Sequence, residues 1–169
     1  MSTDTIFREA MTHLASGVAV ITARRSDGRP CGIAATSLTS YSAQPPSLLV
    51  SVWHLSRCHD ALAASEHFGV HLLKSGQIDL ARRFADRTLE DKFDGVAWDW
   101  DDDVPRLADV LVYLRLRRAE NFARYDHTIL IGDLERGDVE PGEPLVYARR
   151  RMDWLMQPMD SPPAEPQSP

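Results

Sequence analysis

A chain of 169 residues, 43% apolar and 26% charged, is long enough to bury a core without disulfide or metal staples and reads as a single domain. Its net charge of -6 excludes the basic stripe that nucleic acid or an anionic membrane surface demands, leaving small molecules or proteins as partners. Cys31 and Cys58 form no paired framework, no N-terminal run resembles a signal peptide, and no apolar stretch approaches the roughly 20 residues of a membrane span, so a soluble protein of the reducing cytoplasm is expected.

In chain order, residues 4–16 have the spacing of an amphipathic helix, with Phe7, Ala10, Met11 and Leu14 on one stripe, Asp4 or Thr5 as N-cap and Gly17 just past the end. That stripe needs a surface to cover. Residues 18–23 read as a strand, Ser26, Asp27, Gly28 and Arg29 as a hairpin turn, and residues 30–37 as the returning strand. Pro45 and Pro46 interrupt the pattern before residues 47–53, which are apolar enough for a central strand. A short helix is expected over 57–65, opening directly at Ser56 and Arg57, then a strand over 68–73 and a second helix over 77–85. Residues 86–109 are polar and lack a clear period, predicting a long loop of functional or mobile character. Val110, Val112, Leu114 and Leu116 alternate with Leu111, Tyr113, Arg115 and Arg117, the mark of a half-solvated antiparallel strand. Residues 126–134 and 144–148 complete the set. The expected fold is therefore mainly β, of α+β type, with enough antiparallel strands to suggest a barrel. One domain is expected over 1–156, followed at 157–169 by a tail whose Pro, Ser and acidic residues predict disorder.

The stretch 30–60 organises the chain. Thr36, Ser37, Thr39, Ser40 and Ser42 place five hydroxyls within seven positions, and an apolar strand and then Ser56 and Arg57 follow. Hydroxyls donate and accept hydrogen bonds, backbone N–H groups at small residues approach a ligand closely, and a guanidinium grips phosphate bidentately, so the pattern suits a phosphorylated, polyhydroxylated ligand. A helix opening at Ser56 and Arg57 would add a positive dipole end. The same hydroxyls would also suit the polar face of an edge strand. There is no Gly-x-Gly-x-x-Gly, no Walker loop and no Gly-x-Ser-x-Gly elbow, which removes the commonest nucleotide-binding and hydrolase readings. His54 with His59, and His67 with His71, have no Cys or carboxylate at a familiar ligand spacing, so no metal site is assigned. Asp99, Asp101, Asp102 and Asp103 lack the Gly and distant Glu of an EF-hand and read as a solvated acidic loop. Arg149, Arg150 and Arg151 are expected to pair with carboxylates or meet an anionic substrate. His127, beside Asp126, is either a structural histidine or one held in a single tautomer to donate to a substrate carbonyl.

Taken together, these segments resemble the flavin reductase family with the FMN-binding split barrel. The resemblance runs over residues 7–151 and rests on Phe7-Arg8-Glu9-Ala10-Met11, Ala15-Ser16-Gly17-Val18, Gly32-Ile33-Ala34-Ala35-Thr36-Ser37-Leu38-Thr39-Ser40-Tyr41-Ser42, Ser56-Arg57, Leu80-Ala81-Arg82-Arg83-Phe84-Ala85, Asp91-Lys92-Phe93, Asp126-His127-Thr128-Ile129 and Pro144-Leu145-Val146-Tyr147. It implies an antiparallel split β-barrel with a few short flanking helices. It further implies that Ala35, Thr36, Ser37, Leu38, Thr39 and Ser40 line the flavin, that Ser51 and Val52 lie against its ring, and that Ser56 and Arg57 hold its phosphate. Lys92 and Phe93 would close over the cofactor, and His127 would orient the nicotinamide as the catalytic residue. The implied activity is hydride transfer from NADH or NADPH to FMN or FAD, with reduced flavin supplied to a partner monooxygenase. The family is usually homodimeric, with sites at the subunit boundary. This chain departs from the family at Thr36, where Asn is frequent, at Cys58, where a small polar residue is frequent, and at Ala148-Arg149-Arg150, where His-Arg-Gly is common. Alternative readings are a flavoprotein oxidase or dehydrogenase that retains its flavin, and a non-catalytic flavin or haem-binding protein.

Overall fold

The computed structural model describes residues 1–157; of the expected tail, all but Gln157 lies outside the described residues. In chain order the elements are α1 (Thr3–Thr12), β1 (Ser16–Gly17), β2 (Ala19–Arg24), β3 (Pro30–Ala35), β4 (Thr39–Ala43), β5 (Pro46–Trp53), α2 (His59–Ala64), β6 (His67–Leu72), α3 (Ile78–Ala85), β7 (Trp98–Asp101), β8 (Val104–Leu107), β9 (Val112–Arg124), β10 (His127–Val139) and β11 (Val146–Tyr147). The protein is mainly β. Seven strands form one antiparallel sheet in the order β3-β2-β6-β9-β10-β5-β4, and two small ribbons, β1-β11 and β7-β8, stand apart from it. The sheet does not close: β3 and β4 are its edges.

Burial follows from the strand patterns. β5 alternates, with Leu48, Val50 and Val52 buried and Ser51 and Trp53 turned to the other face. Every residue of β2 except Arg24 is buried, because its two faces feed two different cores. Ala19, Ile21 and Ala23 pack with Val50, Val52, Phe68 and Leu130. Val18 and Val20 pack instead with Phe84, Phe93, Leu107 and Tyr113, beneath α3 and the β7-β8 hairpin. Between β2 and β3 the chain reverses at Gly28, whose φ of 82° is a left-handed value suited to glycine, and Arg29 N–H donates to the Asp27 carboxylate at 3.1 Å. Gly32 of β3 lets Phe84 of α3 approach so closely that a Cβ would lie 2.6 Å from its ring.

Several expectations are corrected. The first helix ends at Thr12, because Ser16 and Gly17 are taken up in pairing with Tyr147 and Val146. It buries none of its residues: Ile6, Phe7 and Met11 are exposed, and so is Leu14 beyond its end. Residues 86–109 are no continuous loop. The alternation Trp98-Asp99-Trp100-Asp101 builds β7, which pairs with β8, and Phe84, Phe93, Trp98 and Trp100 stack edge to face in series at 5.1, 5.1 and 5.2 Å. Nor are the neighbouring acids simply solvated, since Asp101 accepts from Tyr113 Oη at 2.8 Å and Asp103 pairs with the buried Arg115 at 2.7 Å. β9 and β10 run 13 residues each, well past the expected ends at 117 and 134. Cys31 and Cys58, read as unpaired, are joined as a disulfide with Cα atoms 5.7 Å apart. Among the described residues no helix is long and apolar enough to cross a membrane.

Candidate functional site

A cavity of about 490 Å³ opens beside β3 and β5. Its walls come from β3, Thr36 and Ser37, Ser51 and Trp53 of β5, the turn 55–58, the end of α3, the segment 87–93 and His127. The alternation that sends Val50 and Val52 into the core sends Ser51 and Trp53 to the cavity face. Register carries the same face across the sheet, pairing His127 of β10 with Trp53. The chain leaves β3 at Ala35, and Ser37 Oγ both donates to Ser51 O at 2.9 Å and accepts from Ser51 N–H at 3.2 Å. That pair of hydrogen bonds ties the segment after β3 to β5 beside the cavity.

Of the residues expected to hold a cofactor, Ala35, Thr36, Ser37, Ser51, Ser56, Arg57, Lys92 and Phe93 line this cavity together with His127. The remaining four are placed elsewhere. Leu38 packs against the core, Thr39 and Ser40 lie exposed on β4, and Val52 points inward. The hydroxyl-rich stretch is therefore divided: its first part borders the cavity and its second is an edge strand. α2 begins at His59, after Cys58, rather than at Ser56. The reason is local, since Ser56 Oγ accepts from Cys58 N–H at 3.3 Å and Ser56 O from His59 N–H at 3.0 Å, making a turn ahead of the helix. With six residues the helix supplies no dipole argument, so an anion held at Ser56 and Arg57 would rely on the turn and the guanidinium alone.

Cations crowd this end of the cavity. Arg57, Arg87, Lys92 and Arg25 all border it, together with the carboxylates of Glu90 and Asp91. Lys92 is fixed by donating to Phe84 O at 2.7 Å, one of the last carbonyls of α3, and Arg83 Nε holds the same segment by donating to Lys92 O at 2.8 Å. Burial lowers the Lys92 ammonium below its ordinary pKa; Asp86 partly offsets this, while Arg57 and Arg87 add to it. The Arg87 guanidinium lies over the Trp53 ring, 4.2 Å from its centroid. His127 borders the cavity with Nδ1 2.8 Å from Asp126 Oδ1. That bond lowers the Asp126 pKa, and a carboxylate partner favours a proton on Nδ1. With Nδ1 donating to Asp126, Nε2 accepts in the neutral ring and donates in the imidazolium.

Sequence reasoning missed Trp53, Arg87 and the two cysteines. Trp53 carried a signal, two positions along an alternating strand from Ser51; Arg87 carried none. The other histidines lie outside the cavity lining. His54 and His59 meet the Thr128 hydroxyl at 3.1 and 2.9 Å, His67 pairs with Asp103, and His71 is buried. Among the described residues no three His, Cys, Asp or Glu gather as a metal site.

An open antiparallel sheet with a hydroxyl-lined, cation-rimmed cavity defines a class of mainly β proteins suited to holding a phosphorylated ligand. More particularly, the chain belongs to the flavin reductase like domain family, whose model matches residues 11–156. It is 38% identical over 151 residues to the NADH:riboflavin 5'-phosphate oxidoreductase of Streptomyces pristinaespiralis, covering 85% of this chain and 84% of that one. It is 34% identical over 145 residues to the reductase component of a 4-nitrophenol monooxygenase of Rhodococcus opacus, covering 86% and 77%. Among solved structures it resembles a flavin reductase domain protein from Arthrobacter sp. FB24 with a TM-score of 0.87 and 32% identity, covering 94% of this chain and 98% of that one.

Proposed function

We propose that this protein is an NAD(P)H:flavin oxidoreductase that binds FMN or FAD in the 490 Å³ cavity and supplies reduced flavin to a partner monooxygenase. The observation that carries the reading is the convergence in one cavity of Ser56, Arg57, Arg87 and Lys92 with the Ser37–Ser51 pair and His127. This donor set fits a flavin mononucleotide moiety. A phosphate dianion would relieve the mutual repulsion of three cations that the fold holds close together, and the hydroxyls suit a sugar-alcohol chain. Arg57 and Ser56 are assigned to the phosphate, with Arg87 and Lys92 steadying it. Ala35, Thr36 and Ser51 border the seat of the ring, and Phe93, held in the core by Phe84 and Trp98, forms a fixed apolar wall. Flavin bound there supplies the hydride acceptor for a reduced nicotinamide. His127, steadied by Asp126, orients the nicotinamide through Nε2, accepting from its amide when neutral. The protein's contribution is positioning, and no strong acid or nucleophile is required.

The same proposal reads the open sheet as a split barrel spanning residues 1–156, acting in the cytoplasm where reduced nicotinamide is at hand. It also reads the uncovered face of α1, with Ile6, Phe7 and Met11 exposed, as part of a homodimer contact, so light scattering should report two chains per particle. The functional test is NADH and NADPH oxidation measured with FMN and with FAD in turn, followed by stopped-flow detection of reduced flavin leaving the protein. Flavin-dependent turnover with release supports the proposal. Turnover with retained flavin points to an oxidase or dehydrogenase, and flavin binding with no turnover points to a carrier.

A further inference from the structure

Cys31 lies on β3, and Cys58 is the residue that caps α2, directly after Ser56 and Arg57. They are 27 residues apart in sequence and joined across a Cα distance of 5.7 Å. Both border the cavity, yet only 9% of Cys31 and 2% of Cys58 is exposed, so the cavity is their route to small solutes. Cys58 also sets where the turn becomes helix: its N–H donates to Ser56 Oγ at 3.3 Å, and its carbonyl accepts from Leu62 N–H at 2.9 Å. Through its sulfur, the turn that carries Arg57 is tied to β3, a separate wall of the same cavity.

We propose that Cys31 and Cys58 form a reversible oxidation site that sets how firmly the Ser56–Arg57 turn grips the flavin phosphate, an inference that rests on the flavin reading above. In the disulfide the turn is held in its gripping shape; in the dithiol it is tied only by hydrogen bonds and loosens. The oxidant is hydrogen peroxide, which forms when released reduced flavin meets dioxygen. One thiolate attacks a peroxide oxygen to give a sulfenic acid and water, and the second thiol displaces another water as the S–S bond forms. Two electrons pass from the sulfurs to the peroxide, and both thiol protons leave in water. Thiol–disulfide exchange with a dithiol reductant restores the starting state. Oxidation thus tightens flavin binding when free reduced flavin outruns its consumer, and slows the release that generates peroxide.

The test uses the full chain treated with hydrogen peroxide or with a phosphine reductant. Intact mass with iodoacetamide alkylation counts thiols, and fluorescence titration with FMN and with FAD gives Kd for each form. The expected result is two thiols only after reduction, with Kd about three- to tenfold higher in the reduced form as pre-organisation is lost. A double variant, Cys31→Ser with Cys58→Ser, should bind like the reduced form and ignore both reagents. Thiols that persist through peroxide treatment would overturn the oxidation site. Equal Kd values in the two forms would overturn the control of binding while leaving the flavin seat intact, and failure of both forms to bind either FMN or FAD would overturn the flavin reading and the switch with it.

Discussion

In the proposed site Arg57 would serve binding and His127 chemistry, and single substitutions separate the two. Arg57→Ala removes a charge-assisted contact to phosphate and should weaken flavin binding by about 1.5–3 kcal/mol. Unchanged affinity in a flavin titration would take Arg57 out of the site. His127→Ala leaves the phosphate end untouched, so kcat for NADH oxidation should fall with little change in flavin Kd; an unaltered rate would return His127 to a structural role. Both residues were singled out in the sequence, Arg57 from its place after a hydroxyl-rich stretch and an apolar strand, His127 from its acidic neighbour, and both border the cavity. Arg87 and the cysteine pair were not. Arg87 sits in a segment without periodicity, and Cys31 meets Cys58 only because β3 and the turn before α2 share a cavity, a contact that no local pattern encodes.

The end of the cavity proposed for phosphate depends on α3 as much as on the residues lining it. Phe84 seats that helix on β3 at Gly32, and the same helix end anchors Lys92 through Phe84 O. Gly32→Ala should therefore cost about 1–3 kcal/mol by overpacking, read as a lower urea midpoint with an unchanged slope. A midpoint equal to wild type would show that α3 shifts at no cost. Strands that alternate or run apolar, such as β2 and β5, were readable because burial dictates their pattern. The β7-β8 hairpin was obscured by its own composition, the alternating Asp and Trp resembling an acidic loop. The second half of each of β9 and β10 is exposed, the two halves lying at opposite ends of the antiparallel pair, and neither carries an apolar period to read.

At the scale of the whole molecule, two cores flank β2, and the buried His71 sits under one of them. Its Nδ1–H donates to Val20 O at 3.0 Å and its Nε2 accepts from Leu107 N–H at 3.1 Å, a pairing that requires the neutral ring. Burial lowers its pKa from 6.5 to about 4, with the backbone bond to Val20 opposing and Arg106 assisting. In the unfolded chain the ring binds a proton below about 6.5, so its contribution is complete above that pH and drains away as pH falls toward about 4. Urea unfolding should show stability declining over that window by up to about 3 kcal/mol, and the decline should flatten in His71→Gln. An equally steep decline in the variant would assign it to other groups. The mainly β architecture was visible from strand count, whereas closure was not, because pairing at the sheet edges is decided by contacts far apart in sequence. The most direct measurement is a crystal structure of the protein soaked with FMN. The account predicts the phosphate against Ser56 and Arg57 and the ring beside Ala35 and Ser51, facing His127; FMN elsewhere on the molecule, with this cavity empty, would contradict it.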